Sequence, residues 1–245
     1  MKLSEGLRRG MELKQKLLHP YCAAVIVAAG TSSRMGGTNK ILTVLENLPV
    51  ICRTVDAFDR CDLIDEIIVV TQKELLEKVS RYLKAYGKMR MVVAGGETRA
   101  DSVMAGLAAV SDRTQLVAVH DGARPLVTDD VIRRTVVKAK KFSAAAPAVR
   151  VKDTIKVSTD GTVESTPDRR TLFAVQTPQV FDRDLLAAAL QNAKTQDLAI
   201  TDDCSAVEAL GMPVQLTDGD EENIKITTPL DLELAALILR RRADA

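Results

Sequence analysis

Five short apolar runs, at 23–28, 66–71, 90–94, 116–120 and 144–149, are separated by stretches with helical spacing near 49–60, 73–86, 99–110 and 129–141. This alternation limits the possible folds more than any other property of the chain. Runs of Val, Ile and Ala that are apolar at every position suit strands covered by helices on both faces. Strand, helix and parallel strand connect right-handedly, so units of this kind in series predict an α/β protein with a doubly wound, mostly parallel sheet. Such sheets bind ligands at the carboxyl ends of their strands. Two polar clusters fall at such ends, the loop after the first run and His120-Asp121-Gly122 after the fourth.

The first run leads into Ala28-Ala29-Gly30-Thr31-Ser32-Ser33-Arg34-Met35-Gly36-Gly37-Thr38-Asn39-Lys40. Small residues that let backbone N–H groups approach, together with one Arg and one Lys, are what a polyphosphate requires. The loop is not a Walker loop, because Lys40 is followed by Ile41 rather than Ser or Thr. Nor is it a dinucleotide loop, because Gly30-Thr31-Ser32-Ser33-Arg34-Met35 lacks the three-glycine spacing. Further on, Gly95-Gly96-Glu97-Thr98-Arg99-Ala100-Asp101-Ser102 follows the third run and opens a helix, with Thr98 and Asp101 spaced as a capping box. His120-Asp121-Gly122-Ala123-Arg124-Pro125 sets a carboxylate beside a guanidinium. Thr201-Asp202-Asp203 reads as a helix N-cap, and Thr228-Pro229-Leu230-Asp231 caps the last helix. Asn223-Ile224-Lys225-Ile226 is expected to put a cation on a short strand before that helix. With only His19 and His120 available, a histidine nucleophile or zinc site is not expected.

Composition narrows the function classes. A net charge of +1 gives no global field for nucleic acid, and 3% aromatics without Trp leaves few stacking platforms. No apolar run is long enough to span a membrane. Arg8, Arg9, Lys14 and Lys16 break any secretory core, and Cys22, Cys52, Cys61 and Cys204 show no CxxC spacing. The expected protein is soluble, holds reduced thiols, and resides in the cytoplasm (or the plastid stroma of a plastid-bearing organism). Residues 1–19 read as an N-terminal extension, an amphipathic helix or a loose tail, and 20–245 as one domain. Within it, 150–172 breaks the alternation. Asp160-Gly161 marks a hairpin whose polar ribbon would be marginal alone and is expected to lean on a partner.

The segments Ala28 to Lys40, Gly95 to Gly106, Val119 to Pro125, Asp153-Thr154, Gln176 to Gln179, Ile200 to Asp202 and Asn223 to Lys225 together resemble the 2-C-methyl-D-erythritol 4-phosphate cytidylyltransferases of the non-mevalonate isoprenoid pathway. The likeness runs from about Ala23 to the last helix. It implies a Rossmann-like nucleotidyltransferase fold with a protruding β-hairpin arm. It also implies transfer of CMP from CTP to the polyol phosphate by in-line attack on the α-phosphorus, with release of pyrophosphate. By that resemblance Arg34 and Lys40 would stabilise charge on the phosphates, and Ala28, Ala29, Gly30, Gly96, Glu97 and Ser102 would bind CTP. Asp121, Arg124 and Thr201 would contact the polyol phosphate, and Lys225 would hold its attacking group. Thr154 and Arg169 would reach from the arm into the other subunit of a homodimer. Mg²⁺ would bridge the CTP phosphates, with Asp121 the nearest candidate ligand. The chain departs from many relatives at Ser32 or Ser33, in a shorter Arg-to-Lys spacing, and at Ile41 and Glu97. Other readings are a ribitol 5-phosphate cytidylyltransferase, a nicotinamide-dependent oxidoreductase on the same sheet, and an inactive binding protein. The missing three-glycine turn opposes the second, and retention of Arg34, Lys40 and Lys225 opposes the third.

Overall fold

The computed structural model describes residues 20–30 and 39–244. In chain order the strands are β1 (Cys22–Ala28), β2 (Val44–Leu45), β3 (Leu48–Pro49), β4 (Glu66–Thr71), β5 (Met89–Ala94), β6 (Leu116–Asp121), β7 (Ala144–Arg150), β8 (Phe173–Val175), β9 (Gln179–Asp182) and β10 (Gln215–Asp218). The helices are α1 (Val50–Arg60), α2 (Leu76–Leu83), α3 (Arg99–Ala108), α4 (Asp129–Phe142), α5 (Arg183–Thr195), α6 (Asp203–Glu208) and α7 (Pro229–Ala243). The amphipathic helix considered for 1–19 lies outside the described residues.

The main sheet runs β10-β7-β9-β6-β1-β4-β5. β1 is parallel to β4 and β6, and β4 is parallel to β5. β9 is antiparallel to both β6 and β7, so those two strands point the same way. The α/β reading therefore holds, with β9 inserted against the grain and β10 parallel to β7 at the edge. β1 explains why its run is apolar throughout: Ala24 and Ile26 belong to the core under α1, α2 and α4, while Ala23 and Val25 belong to the core under α3, α5 and α6. Each fully buried Ile or Phe in these layers, such as Ile26, Phe58 or Phe181, contributes about 1.5–3 kcal/mol. A third cluster joins Leu45, Val50, Leu126, Ile226, Ala235 and Ile238, and so seats α7.

One expectation needs correction. Segment 223–226 is not a strand. Its Ile226 N–H donates to the Ala123 carbonyl (2.8 Å) and its Asn223 N–H to the Asp220 carbonyl (3.0 Å), and β10 already occupies the edge beside β7. The expected hairpin at 150–172 is present, with one antiparallel bridge between Val157 and Ser165 around Asp160-Gly161, and a ³₁₀ turn at Arg169–Thr171 precedes β8. Its surface is also less polar than its sequence suggests, since Ile155, Val157 and Val163 are exposed. A strand pair with nothing packed on either face has little to hold a longer ladder together.

Candidate active site

A cleft of about 650 Å³ opens at the carboxyl edge of β1, β4 and β6, within the size range of small-ligand sites. Its wall includes Ala28, Ala29, Gly30, Lys40, Gly96, Glu97, Ser102, Asp121 and Lys225. These come from loops far apart in sequence, brought together because parallel strands all end on one side. Gly96 is a position where space is short: a Cβ there would lie 2.4 Å from the Asp101 Cβ. α3 starts with the expected capping box. Asp101 N–H donates to the Thr98 hydroxyl, and Thr98 N–H donates to the Asp101 carboxylate. The Ser102 hydroxyl accepts from Gly96 N–H (3.2 Å) and donates to the Thr98 carbonyl (3.0 Å), so it also shapes the loop that forms this part of the wall.

The floor of the cleft is an ion cluster on Asp121, the last residue of β6. Its carboxylate meets Arg99 at 2.7 Å, Lys225 at 2.9 Å and Arg124 at 3.4 Å. Burial alone would raise the Asp121 pKa, but Arg99, Lys225 and Arg124 outweigh it and hold the carboxyl well below the usual range. Arg99 also bridges to Asp203 at 2.9 Å. Burial disfavours charge on Arg99, yet Asp203 and Asp121 together raise its pKa. Asp203, fully enclosed at the start of α6, is pushed up by burial despite Arg99. Three cations thus face two carboxylates, and the cleft floor carries a net positive charge suited to a phosphate.

Arg124 turns inward and donates to the Asn223 carbonyl at 2.6 Å, beneath the wall rather than in it. Thr154 and Arg169 do not line the cleft; both are exposed on the arm, where Arg169 donates to the Lys152 carbonyl at 2.6 Å. Thr201 is exposed beside the N-cap of α6, its N–H bonded to the Ser205 hydroxyl, and is also outside the wall. Arg34 lies outside the described residues. Arg99 is the residue sequence reasoning passed over.

The expected metal role of Asp121 does not fit this geometry. Oδ1 is taken by Arg99 and Oδ2 by Lys225 and Arg124, and no cluster of three His, Cys, Asp or Glu side chains able to hold an ion occurs among the described residues. No helix among those residues is long and apolar enough to cross a membrane. Cys22, Cys52, Cys61 and Cys204 are all buried, and none is in a disulfide.

Comparison with known proteins agrees with the sequence resemblance. A family model described as 2-C-methyl-D-erythritol 4-phosphate cytidylyltransferase matches residues 22–241. A protein of that name from Caldanaerobacter subterraneus subsp. tengcongensis is 46% identical over 224 residues, covering 89% of this chain and 99% of its own length. Another, from Desulforamulus reducens, is 44% identical over 224 residues, covering 89% and 96%. The crystal structure of 4-diphosphocytidyl-2C-methyl-D-erythritol synthase from Anaerococcus prevotii superposes with a TM-score of 0.82 at 32% identity, covering 90% of this chain and 96% of that one.

Proposed function

The chain belongs to the 2-C-methyl-D-erythritol 4-phosphate cytidylyltransferase family, and from that premise we propose how its cleft joins CTP to 2-C-methyl-D-erythritol 4-phosphate. An oxygen of the polyol phosphate attacks the α-phosphorus in line. The bond from that phosphorus to the bridging oxygen breaks, pyrophosphate leaves, and the CDP-linked polyol remains. No covalent enzyme intermediate is needed, so the protein acts by positioning and by stabilising charge.

The observation that carries this reading is the convergence of Arg99, Arg124 and Lys225 on Asp121 beside the small-residue loop of β1. Lys225 holds the attacking phosphate. Arg34 and Lys40 neutralise charge on the α-phosphate and the leaving pyrophosphate. The backbone around Gly96, with Glu97, takes the cytidine end, and Ala28, Ala29 and Gly30 face the triphosphate. A divalent cation such as Mg²⁺ would, when bound, supply charge neutralisation to the triphosphate, and hard oxygen ligands of substrate and solvent would suffice to hold it without a protein cage.

Homodimerisation through the arm is part of the same proposal. Thr154 and Arg169 lie outside their own chain's cleft, and Ile155, Val157, Val163, Phe173 and Val175 give the arm and β8 apolar surface for a second subunit. A cytoplasmic location suits the small polar substrates.

Pyrophosphate release tests the reading. It is expected with CTP and 2-C-methyl-D-erythritol 4-phosphate, and to fall by orders of magnitude with GTP, because a site that hydrogen-bonds its base leaves groups unpaired with the wrong one. Equal rates with GTP, or with ribitol 5-phosphate as acceptor, would refute it.

A further inference from the structure

His120 is completely buried, one residue before Asp121 on β6, and the mechanism above gives it no task. Its two ring nitrogens are both engaged. Nε2 lies 3.1 Å from the Arg124 carbonyl, and Nδ1 lies 3.0 Å from the Thr177 hydroxyl oxygen. A carbonyl can only accept, so Nε2 must carry the hydrogen. The Thr177 oxygen already accepts from Asp121 N–H at 3.1 Å. Its own hydrogen then has Nδ1 as its acceptor. The neutral ring with hydrogen on Nε2 is the form that satisfies every group; an imidazolium would leave the buried Thr177 hydroxyl with no acceptor, at a cost no surrounding water can relieve.

The contacts close into a circuit. Thr177 holds His120, His120 holds the Arg124 carbonyl, the Arg124 guanidinium donates to the Asn223 carbonyl at 2.6 Å, and the Asn223 amide donates back to the Thr177 carbonyl at 3.0 Å. Asp121 hangs from it by its N–H, and Lys225 follows Asn223 by two residues. Phe58 backs the ring with its centroid 4.8 Å away. We propose that neutral His120, with Thr177, is a positioning unit that fixes Asp121, Arg124 and the Lys225 loop relative to one another for the polyol phosphate. Burial, which moves the His120 pKa down to about 3, agrees with a neutral ring. The histidine touches no substrate. It acts by joining β6, the turn after it, and the loop before α7, adding to the Ile226–Ala123 backbone bond and the Lys225–Asp121 ion pair that link the same segments.

This proposal rests on the assignment of Asp121, Arg124 and Lys225 to the polyol-phosphate end, and the test separates the two. In the full-length protein labelled with ¹⁵N-histidine, His19→Gln identifies the His120 signals. A pyrrole-type shift at Nε2 and a pyridine-type shift at Nδ1 are expected at neutral pH; the opposite tautomer or an imidazolium overturns the circuit whatever the substrate. Thr177→Val keeps the side-chain shape and removes the hydroxyl. It should raise KM for 2-C-methyl-D-erythritol 4-phosphate about tenfold, the scale of one buried partner lost, and leave KM for CTP within about twofold. Thr177→Ser should restore both. Equal changes in the two KM values, or none, would reduce the circuit to a structural role and overturn the proposal. Should Thr177→Val not fold, Thr177→Ala is measured by the same split. If Arg124→Lys alters KM for CTP and not for the polyol phosphate, the assignment of that end fails instead, while the histidine shifts still decide the circuit.

Discussion

Arg99 occupies a position that helix electrostatics disfavour. It is the first residue of α3, where the exposed N–H groups give the helix end a partial positive charge, and a cation there loses a few tenths of a kcal/mol or more. The misplaced charge was the one sequence signal for its role, because a residue set against its helix is needed elsewhere. In the structure it holds the carboxylates of β6 and α6 together, and its Nε is buried without a partner among the described residues. Arg99→Met would strand Asp203 in a fully buried site. We expect a loss of roughly 3 kcal/mol in urea unfolding, with much of it recovered in Arg99→Met/Asp203→Asn, since removing one half of a buried pair costs more than removing both. A double variant no more stable than the single would mean the bridge is not the cause. Lys40, Asp121 and Lys225 were legible because each sits at a strand end or in a loop that had to face the cleft. The inward turn of Arg124 depends on a neighbour 99 residues away and could not be read from local spacing.

The elements that could be read from sequence were those with a period. β1, β4, β5, β6 and β7 and the four helices between them fall within a few residues of expectation, apart from the 73–86 stretch, which begins as a ³₁₀ turn at Lys73–Leu75 and ends early at Leu83. β9 and β10 were not legible. Each has four residues, with Gln and Asp at its ends, so neither makes an apolar run. Packing between elements is close where α3 lies on β1 and β4. A Cβ on Gly106 would stand 2.4 Å from Val25 Cγ1 and 2.9 Å from Val70 Cγ2. Gly106→Ala therefore sets two effects against each other. Helix propensity favours Ala by about 1 kcal/mol, while overpacking costs about 1–3 kcal/mol. Val25 and Val70 are locked in adjacent strands, so overpacking should win, and the variant should melt at a lower temperature than the parent. A higher Tm would show that α3 can move off the sheet freely.

At the scale of the whole molecule, the arm decides whether a site is complete in one chain. If subunits exchange arms around a two-fold axis, mixing Arg169→Ala with Lys40→Ala protein puts both defects in one site of each mixed dimer and leaves the other intact. Random pairing makes half the dimers mixed, so activity should return to roughly a quarter of the parent's. No recovery, with subunit exchange shown separately, would mean that Arg169 serves its own chain or none.

The insertion of β9 between β6 and β7 also has a bearing on synthesis. Ribosomes deliver β6 long before residues 179–182, and β7 cannot pair with β6 directly because β9 must lie between them. A nascent chain that has completed β1, β4, β5 and β6 therefore carries a fully formed strand with one bare flank, a template for pairing with any neighbouring chain. The growing polypeptide stays at risk of association until those four residues emerge and seal the sheet from within.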